Sequence, residues 1–547
     1  MDKKKIPERN DISPEYKWNL TDLFKTDDDW EKALKQIDIS GYDKFKGKIG
    51  ESASSLLNFL KFNDKISMET ERVYVYANML LHQDSRISKS QEMSNKAEML
   101  MVSLMNASAF AAPEITSIPD DKLKNFYKDE PDLETYRHYL ESVSRQKPHV
   151  LSHAEEAILA KIGSFSNAAE DIFSMINDAD IVFPNIKDEN GDNVSLTKGR
   201  YAKFMESKDR SVRKAAFDAL YETYTKQKNT LAATYYSSVK KDAFMADVRK
   251  YSSSLEAALD DDNIPLSVYE NLISSVHKYL PLMHRYVDIR KKILGVDELH
   301  PYDLYAPLSE SSDMKITYQQ AKDIILKALS PMGEEYVNAL KEGFNGGWID
   351  VYENSGKRGG AYSWGTYTCH PYVLLNHTDN LNSMFTIAHE MGHALHSYYT
   401  WKTQPYIYSG HKIFVAEVAS TCNEALLMEY MLKTTEDKGA RKYLINYFLE
   451  QFKGTFFRQA MFAEFEKKAH DMVESGQPLT CDILCQMYRS LNEQYFGNGL
   501  VIDSYLDLEW ARIPHFYSAF YVYQYATGYQ AQQNAQERLR QADHDAR

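Results

Sequence analysis

The sequence predicts a mainly α-helical chain built in two or more lobes. Apolar residues recur at three- and four-residue steps through roughly residue 175 and again, after a short break, through about residue 342. Strand-like runs are confined to two short regions, and 547 residues with 43% apolar content exceed what one hydrophobic core usually holds.

In chain order, Thr26 to Asp29 ahead of W-E-K-A-L-K-Q-I has the form of a capping box and should open a helix. Met99, Met101, Leu104 and Met105 read as the core face of a later one. From Ile181, I-V-F-P-N-I-K-D-E-N-G-D-N-V-S-L sets two extended runs on either side of Asn190-Gly191, a hairpin pattern and a natural boundary between lobes. Helices then resume. A second extended region, Trp348 to Tyr352 and Ala361 to Leu375, is joined by the turn-forming N-S-G-K-R-G-G. An edge strand here would bind a peptide through its backbone, with His370 and Tyr372 nearby as candidate substrate contacts.

The run that follows carries the most chemistry. From Asp379 the chain reads D-N-L-N-S-M-F-T-I-A-H-E-M-G-H-A-L-H-S-Y-Y, with Leu381, Met384, Phe385, Ala388, Met391 and Leu395 at helical spacing. Asp379 is the expected N-cap, and no proline interrupts the helix before Pro405. His389 and His393, one turn apart, are separated by about 6 Å of rise and about 40° of rotation, so both rings leave one face and can grip one zinc ion. Glu390 lies at the edge of that face, where a carboxylate can take a proton from water. The pattern reads as the site of a zinc peptidase.

A third ligand is expected downstream. F-V-A-E-V-A-S-T-C-N-E-A-L-L-M-E-Y-M is a second buried helix containing two acids. Glu417, set among Phe414, Val415, Val418 and Ala419, needs a cation and is assigned as the ligand. Glu424, seven residues on, is placed to accept the free ring N–H of a ligand histidine. His396 lies about 10 Å along the axis from His389, too far to share the ion, and is read as packed or hydrogen-bonded.

Near the end, Arg512-Ile513-Pro514-His515-Phe516-Tyr517 is followed by Tyr521, Tyr523, Tyr525 and Tyr529. Phenol and imidazole N–H groups can donate to a developing oxyanion, and Tyr521 and Tyr525 are one turn apart.

Composition narrows the partners. A net charge of −14 argues against nucleic acid or anionic lipid, and no segment approaches bilayer length. M-D-K-K-K-I-P-E-R-N-D lacks the apolar run of a secretory signal, so cytoplasmic residence is expected. Cys369, Cys422, Cys481 and Cys485 imply no disulfide framework; Cys481 and Cys485 read as helix packing.

Several of these runs together resemble oligoendopeptidase F, of the thimet-oligopeptidase-like zinc metallopeptidases. They are G-W-I-D-V-Y-E-N-S-G-K-R-G-G-A-Y-S-W-G-T-Y, H-E-M-G-H, F-V-A-E-V-A-S-T and A-R-I-P-H-F-Y-S-A-F-Y-V-Y-Q-Y-A-T-G, joined by P-E-Y-K-W-N-L-T-D-L-F and H-P-Y-D-L-Y-A-P-L. The resemblance implies a two-lobed helical zincin-type fold with a deep channel, one zinc per chain, and endoproteolytic cleavage of short unstructured peptides. It further implies that His515, with Tyr521 or Tyr525, stabilises the oxyanion, and that Tyr517 contacts substrate. The implied division is an N-terminal helical region 1–110, a small helical domain 111–190, a catalytic domain 191–528 and a polar, exposed tail 529–547. Such proteins usually continue with apolar helices where this tail has none. That difference supports a second reading, a peptide-binding protein with weak or no turnover; removal of C-terminal dipeptides is a third.

Overall fold

Extended runs rich in aromatic and β-branched residues occur in few places, and among the described residues strands form only there. The computed structural model describes residues 6–163, 165–308 and 314–530. Among them, β1 (Asn185–Lys187) and β2 (Asn193–Ser195) pair antiparallel with Ile186 opposite Val194, and Gly191 takes the positive φ (82°) that the turn between them requires. Three more strands, β3 (Ile349–Asp350), β4 (Tyr362–Trp364) and β5 (Tyr372–Leu374), form a sheet in the order β3-β5-β4. β3 runs parallel to β5 and β4 antiparallel to it, which leaves β4 as an edge. Apart from one isolated Leu299–Leu500 bridge, the rest of the described residues are helix and connection, so the chain is mainly helical, as its periodicity predicts.

The described residues fall into two units. The first comprises 6–148 and 314–431. Its helix α1 (Asp27–Gln36) is capped by Thr26, whose hydroxyl accepts the Asp29 N–H at 3.2 Å. Helices α2 (Ala53–Gln83) and α3 (Ser88–Ser108) bury Val73, Tyr76, Met79, Met93 and Ala97 with Trp18, Trp30, Tyr372 and Leu374. On α3 Leu104 is buried and Met101 packs beside it, but Met99 and Met105 are exposed, against expectation. With Val102 they stand on the side of the helix opposite Leu104, because the apolar stripe is narrower than the methionine-rich composition suggests.

The N-terminal segment is tied to the far sheet edge. Val351 N–H donates to Tyr16 O at 2.9 Å and Asn19 N–H to Gly347 O at 2.6 Å. Arg9 and Lys357 both pair with Asp350, which is 1% exposed. Helix α4 (Leu381–Thr403) follows the sheet and ends before Pro405. Its cap is Asn380, not Asp379: the Asn380 side chain accepts the Ser383 N–H at 2.8 Å, while Asp379 lies 3.5 Å from His377. Helix α5 (Ile413–Thr434) carries the chain from this unit, which ends at Met431, into the second.

The second unit holds 149–163, 165–308 and 432–530. Helices Lys228–Val248 and Leu266–Leu294 pack with α6 (Arg458–Glu474) and α7 (Cys481–Phe496). Glu509, buried, accepts from Arg458, Arg512 and Tyr488. Burial alone would raise its carboxyl, yet the two guanidinium groups hold it down at about 2 and so fix the segment entering His515. All four cysteines are free, with the Cys481 and Cys485 sulfurs 4.0 Å apart on α7. Most of the stretch expected as an exposed tail, 531–547, lies outside the described residues; its first member, Tyr529, is buried against Phe452. No helix among the described residues is long and apolar enough to cross a membrane.

Candidate metal centre

Two helices in close backbone contact build the site; α5, expected as buried, is only half-buried over 414–419 with Val415 exposed, so Glu417 is less enclosed than its apolar neighbours suggest. A methyl group on Gly392 would sit 2.5 Å from the Ser420 Cα and 2.8 Å from the Ala419 carbonyl, so α4 and α5 approach as only glycine allows. Asn423, fully buried on α5, donates to the Ala388 carbonyl of α4 at 3.0 Å and accepts from the Tyr336 hydroxyl. These contacts set Glu417 opposite the paired histidines.

The donors converge on one point. His389 Nε2 and His393 Nε2 are 3.2 Å apart, and Glu417 Oε2 lies 3.4 Å from the first and 3.6 Å from the second. Tetrahedral zinc with bonds near 2.0–2.1 Å needs ligand atoms about 3.3 Å apart, so the residues present fit the ion. They form the one such group of three among the described residues.

Neighbours fix each donor. His389 Nδ1–H donates to Glu424, which turns the Nε2 lone pair toward Glu417. Ser420 Oγ–H donates to Glu417 Oε2 at 2.9 Å. Burial opposes charge on His389, but Glu424's hydrogen bond and charge prevail and raise its pKa; burial and His389 push His393 down. Glu390 is 7% exposed, and burial pushes its carboxyl up to about 7, the range of a working general base.

The sequence pattern of peptidase family M3 matches residues 203–546, and that described as oligopeptidase F matches residues 114–183. The chain belongs to peptidase family M3. It is 49% identical to oligopeptidase PepF of Bacillus subtilis over 96% of this chain and 79% of that one. With the group B oligopeptidase PepB of Streptococcus agalactiae it shares 42% identity, over 97% of this chain and 88% of its relative. The crystal structure of oligoendopeptidase F from Enterococcus faecium superposes with a TM-score of 0.71 at 38% identity, covering 94% of this chain and 87% of that one. The M3 chain described here is therefore an oligopeptide-hydrolysing metalloendopeptidase.

Other residues singled out in the sequence are placed as follows. His396 stacks on His411 with ring centroids 3.9 Å apart. His370 lies flat against Trp348 at 5.0 Å with Nε2 3.1 Å from Asp22. Tyr372 is wholly buried, its hydroxyl donating to the Asn19 carbonyl, and Tyr517 is buried against Phe173. Both belong to cores. His515, Tyr521 and Tyr525 group in the second unit with ring centroids 5.4–6.1 Å apart. Sequence reasoning passed over Gly392, Ser420 and Asn423. Gly392 did leave a signal, since a glycine inside a buried helix costs about 1 kcal/mol and needs a packing reason.

Proposed function

We propose that this M3 peptidase is zinc-dependent, holds one ion between His389, His393 and Glu417, and cleaves internal bonds of short unstructured peptides with Glu390 as general base. The observation that supports this best is the convergence of two imidazole nitrogens and a carboxylate oxygen within 3.2–3.6 Å beside a buried carboxyl. Zinc held there supplies a Lewis acid that polarises a peptide carbonyl and lowers the pKa of water toward neutrality. Glu390 accepts a proton from the attacking water and passes it to the leaving amine nitrogen. Glu424 keeps His389 in the ligating tautomer. His515, with Tyr521 or Tyr525, donates hydrogen bonds to the oxygen on which charge develops; loss of one such donor should lower kcat roughly a hundred- to thousandfold. β4, the last strand of its sheet, would offer backbone groups to an extended peptide, which suits a peptidase with low side-chain stringency. Four free thiols fit a reducing compartment, and cytoplasmic residence is proposed on that ground.

A quenched-fluorescence peptide assay tests the reading, run with a chelator and with zinc add-back, products being identified by mass. Chelator-sensitive cleavage at internal bonds, restored by zinc, is expected. Peptide binding without chelator-sensitive turnover, or products confined to C-terminal dipeptides, would overturn it.

A further inference from the structure

The segment carrying His515 is a succession of turns held by one unusual residue. Ser518 N–H donates to His515 O at 3.0 Å, Tyr521 N–H to Ser518 O at 3.2 Å and Gln524 N–H to Tyr521 O at 3.2 Å. In the second of these turns Phe520 occupies the third position with φ of +55°, where glycine or asparagine is the usual residue. Two other non-glycine residues have positive φ among the described residues, Lys250 and Asn263, and both are exposed. Phe520 is 2% exposed. A buried aromatic residue keeps this backbone only where its surroundings over-determine it, and such positions concentrate at functional sites.

Glu466 is what holds it. This α6 residue is wholly buried, and its Oε1 accepts the Phe520 N–H at 2.8 Å. Its Oε2 has no hydrogen-bond partner among the described residues. One turn on, His470 packs under the Phe520 ring at 4.6 Å, with Tyr269 edge-on at 5.9 Å. His470 places Nδ1 2.9 Å from the Glu466 carbonyl and Nε2 3.3 Å from Asp242. The carbonyl and the Asp242 carboxylate both accept, so both ring nitrogens of His470 donate, and His470 joins Lys241 in facing Asp242. Burial keeps Glu466 itself protonated, with its carboxyl pushed up to about 8. A buried carboxyl oxygen thus accepts from a strained backbone N–H.

The turn at Phe520 folds the chain back so that three side chains meet. His515 and Tyr521 lie nearly parallel with centroids 6.1 Å apart, His515 and Tyr525 are 6.0 Å apart, and Tyr521 meets Tyr525 edge-on at 5.4 Å. We propose that Glu466 is a positioning residue which, through the Phe520 N–H, holds the left-handed turn that gathers His515, Tyr521 and Tyr525 into one donor group. The inference rests on the role proposed above for that group.

The test is a kinetic cycle on the zinc-loaded full chain. Glu466→Ala should lower kcat by roughly ten- to a hundredfold, the scale of a misplaced catalytic group, with KM changed less than about threefold. Glu466→Gln, whose amide carbonyl can accept the same N–H, should stay within about threefold of wild type in kcat. In a His515→Ala background Glu466→Ala should cost much less than in wild type, because its effect passes through the group already impaired. If Glu466→Ala does not fold, Glu466→Met, which fills similar volume without an acceptor, takes its place. The proposal is overturned if the acceptor-free variant keeps wild-type kcat, if Glu466→Gln is as impaired as Glu466→Ala, or if the two losses multiply in full. If His515→Ala, Tyr521→Phe and Tyr525→Phe all leave kcat intact, the donor reading itself fails, and this inference fails with it for a reason the cycle identifies.

Discussion

Glu424 accepts the His389 Nδ1 proton, which leaves Nε2 as the nitrogen free to ligate in the proposed site. Glu424→Ala should weaken zinc binding about 10- to 100-fold in competition with a chelating dye, with the fold retained. Glu466 makes a different prediction. Its folded pKa of about 8 stands above the ordinary 4.5, so between those values the folded chain keeps a proton that the unfolded chain has lost. Its contribution to stability is complete below about pH 4.5 and declines as pH rises toward 8, by on the order of a few kcal/mol. His470, Asp242, Tyr235 and Tyr269 face it, and none is altered in Glu466→Gln. The Tm of wild type should therefore fall more than that of Glu466→Gln between about pH 5 and 8.5; parallel curves would contradict this. At this scale helical spacing places the histidine pair and Glu390 on one helix, and the two acids of α5 stand out as carboxylates in an apolar segment. Ser420 and Asn423 were not legible in the sequence, since their partners are decided by how two helices meet.

Helices α4 and α5 work as one element. Gly392 lets them touch backbone to backbone, so Gly392→Ala must move α5 away from the histidines. The expected result is a loss of about 1–3 kcal/mol in stability together with weaker zinc binding, read by thermal melts and metal titration. Unchanged zinc affinity would show that the approach of the helices does not set the position of Glu417. Patterning found both helices, the hairpin and the second extended region. It missed details governed by a single residue of phase: the cap at Asn380 and the outward face of Met99 and Met105. Composition marks a helix as apolar without stating how wide its buried stripe is.

Across the whole molecule, segments distant in sequence share one unit. Asp350 joins Arg9 and Lys357, and the Lys357 side chain is fully buried. Asp350→Asn would leave two cations without their carboxylate, and a cost of about 3–5 kcal/mol is expected, visible as a lowered Tm and faster proteolysis. No local pattern reports a pairing across 341 residues, which is why the boundaries read along the chain could not show that residues 6–148 and 314–431 form one unit. The family resemblance carried what the residues alone could not, namely the kind of substrate.

The proposed chemistry needs Glu390 to act as base beside an ion that other residues hold. Zinc content and peptide turnover, measured together on Glu390→Gln, separate those two roles. We expect one zinc per chain, as in wild type, with kcat lowered by a factor of about a thousand or more. Cleavage near the wild-type rate by zinc-loaded Glu390→Gln would contradict the account.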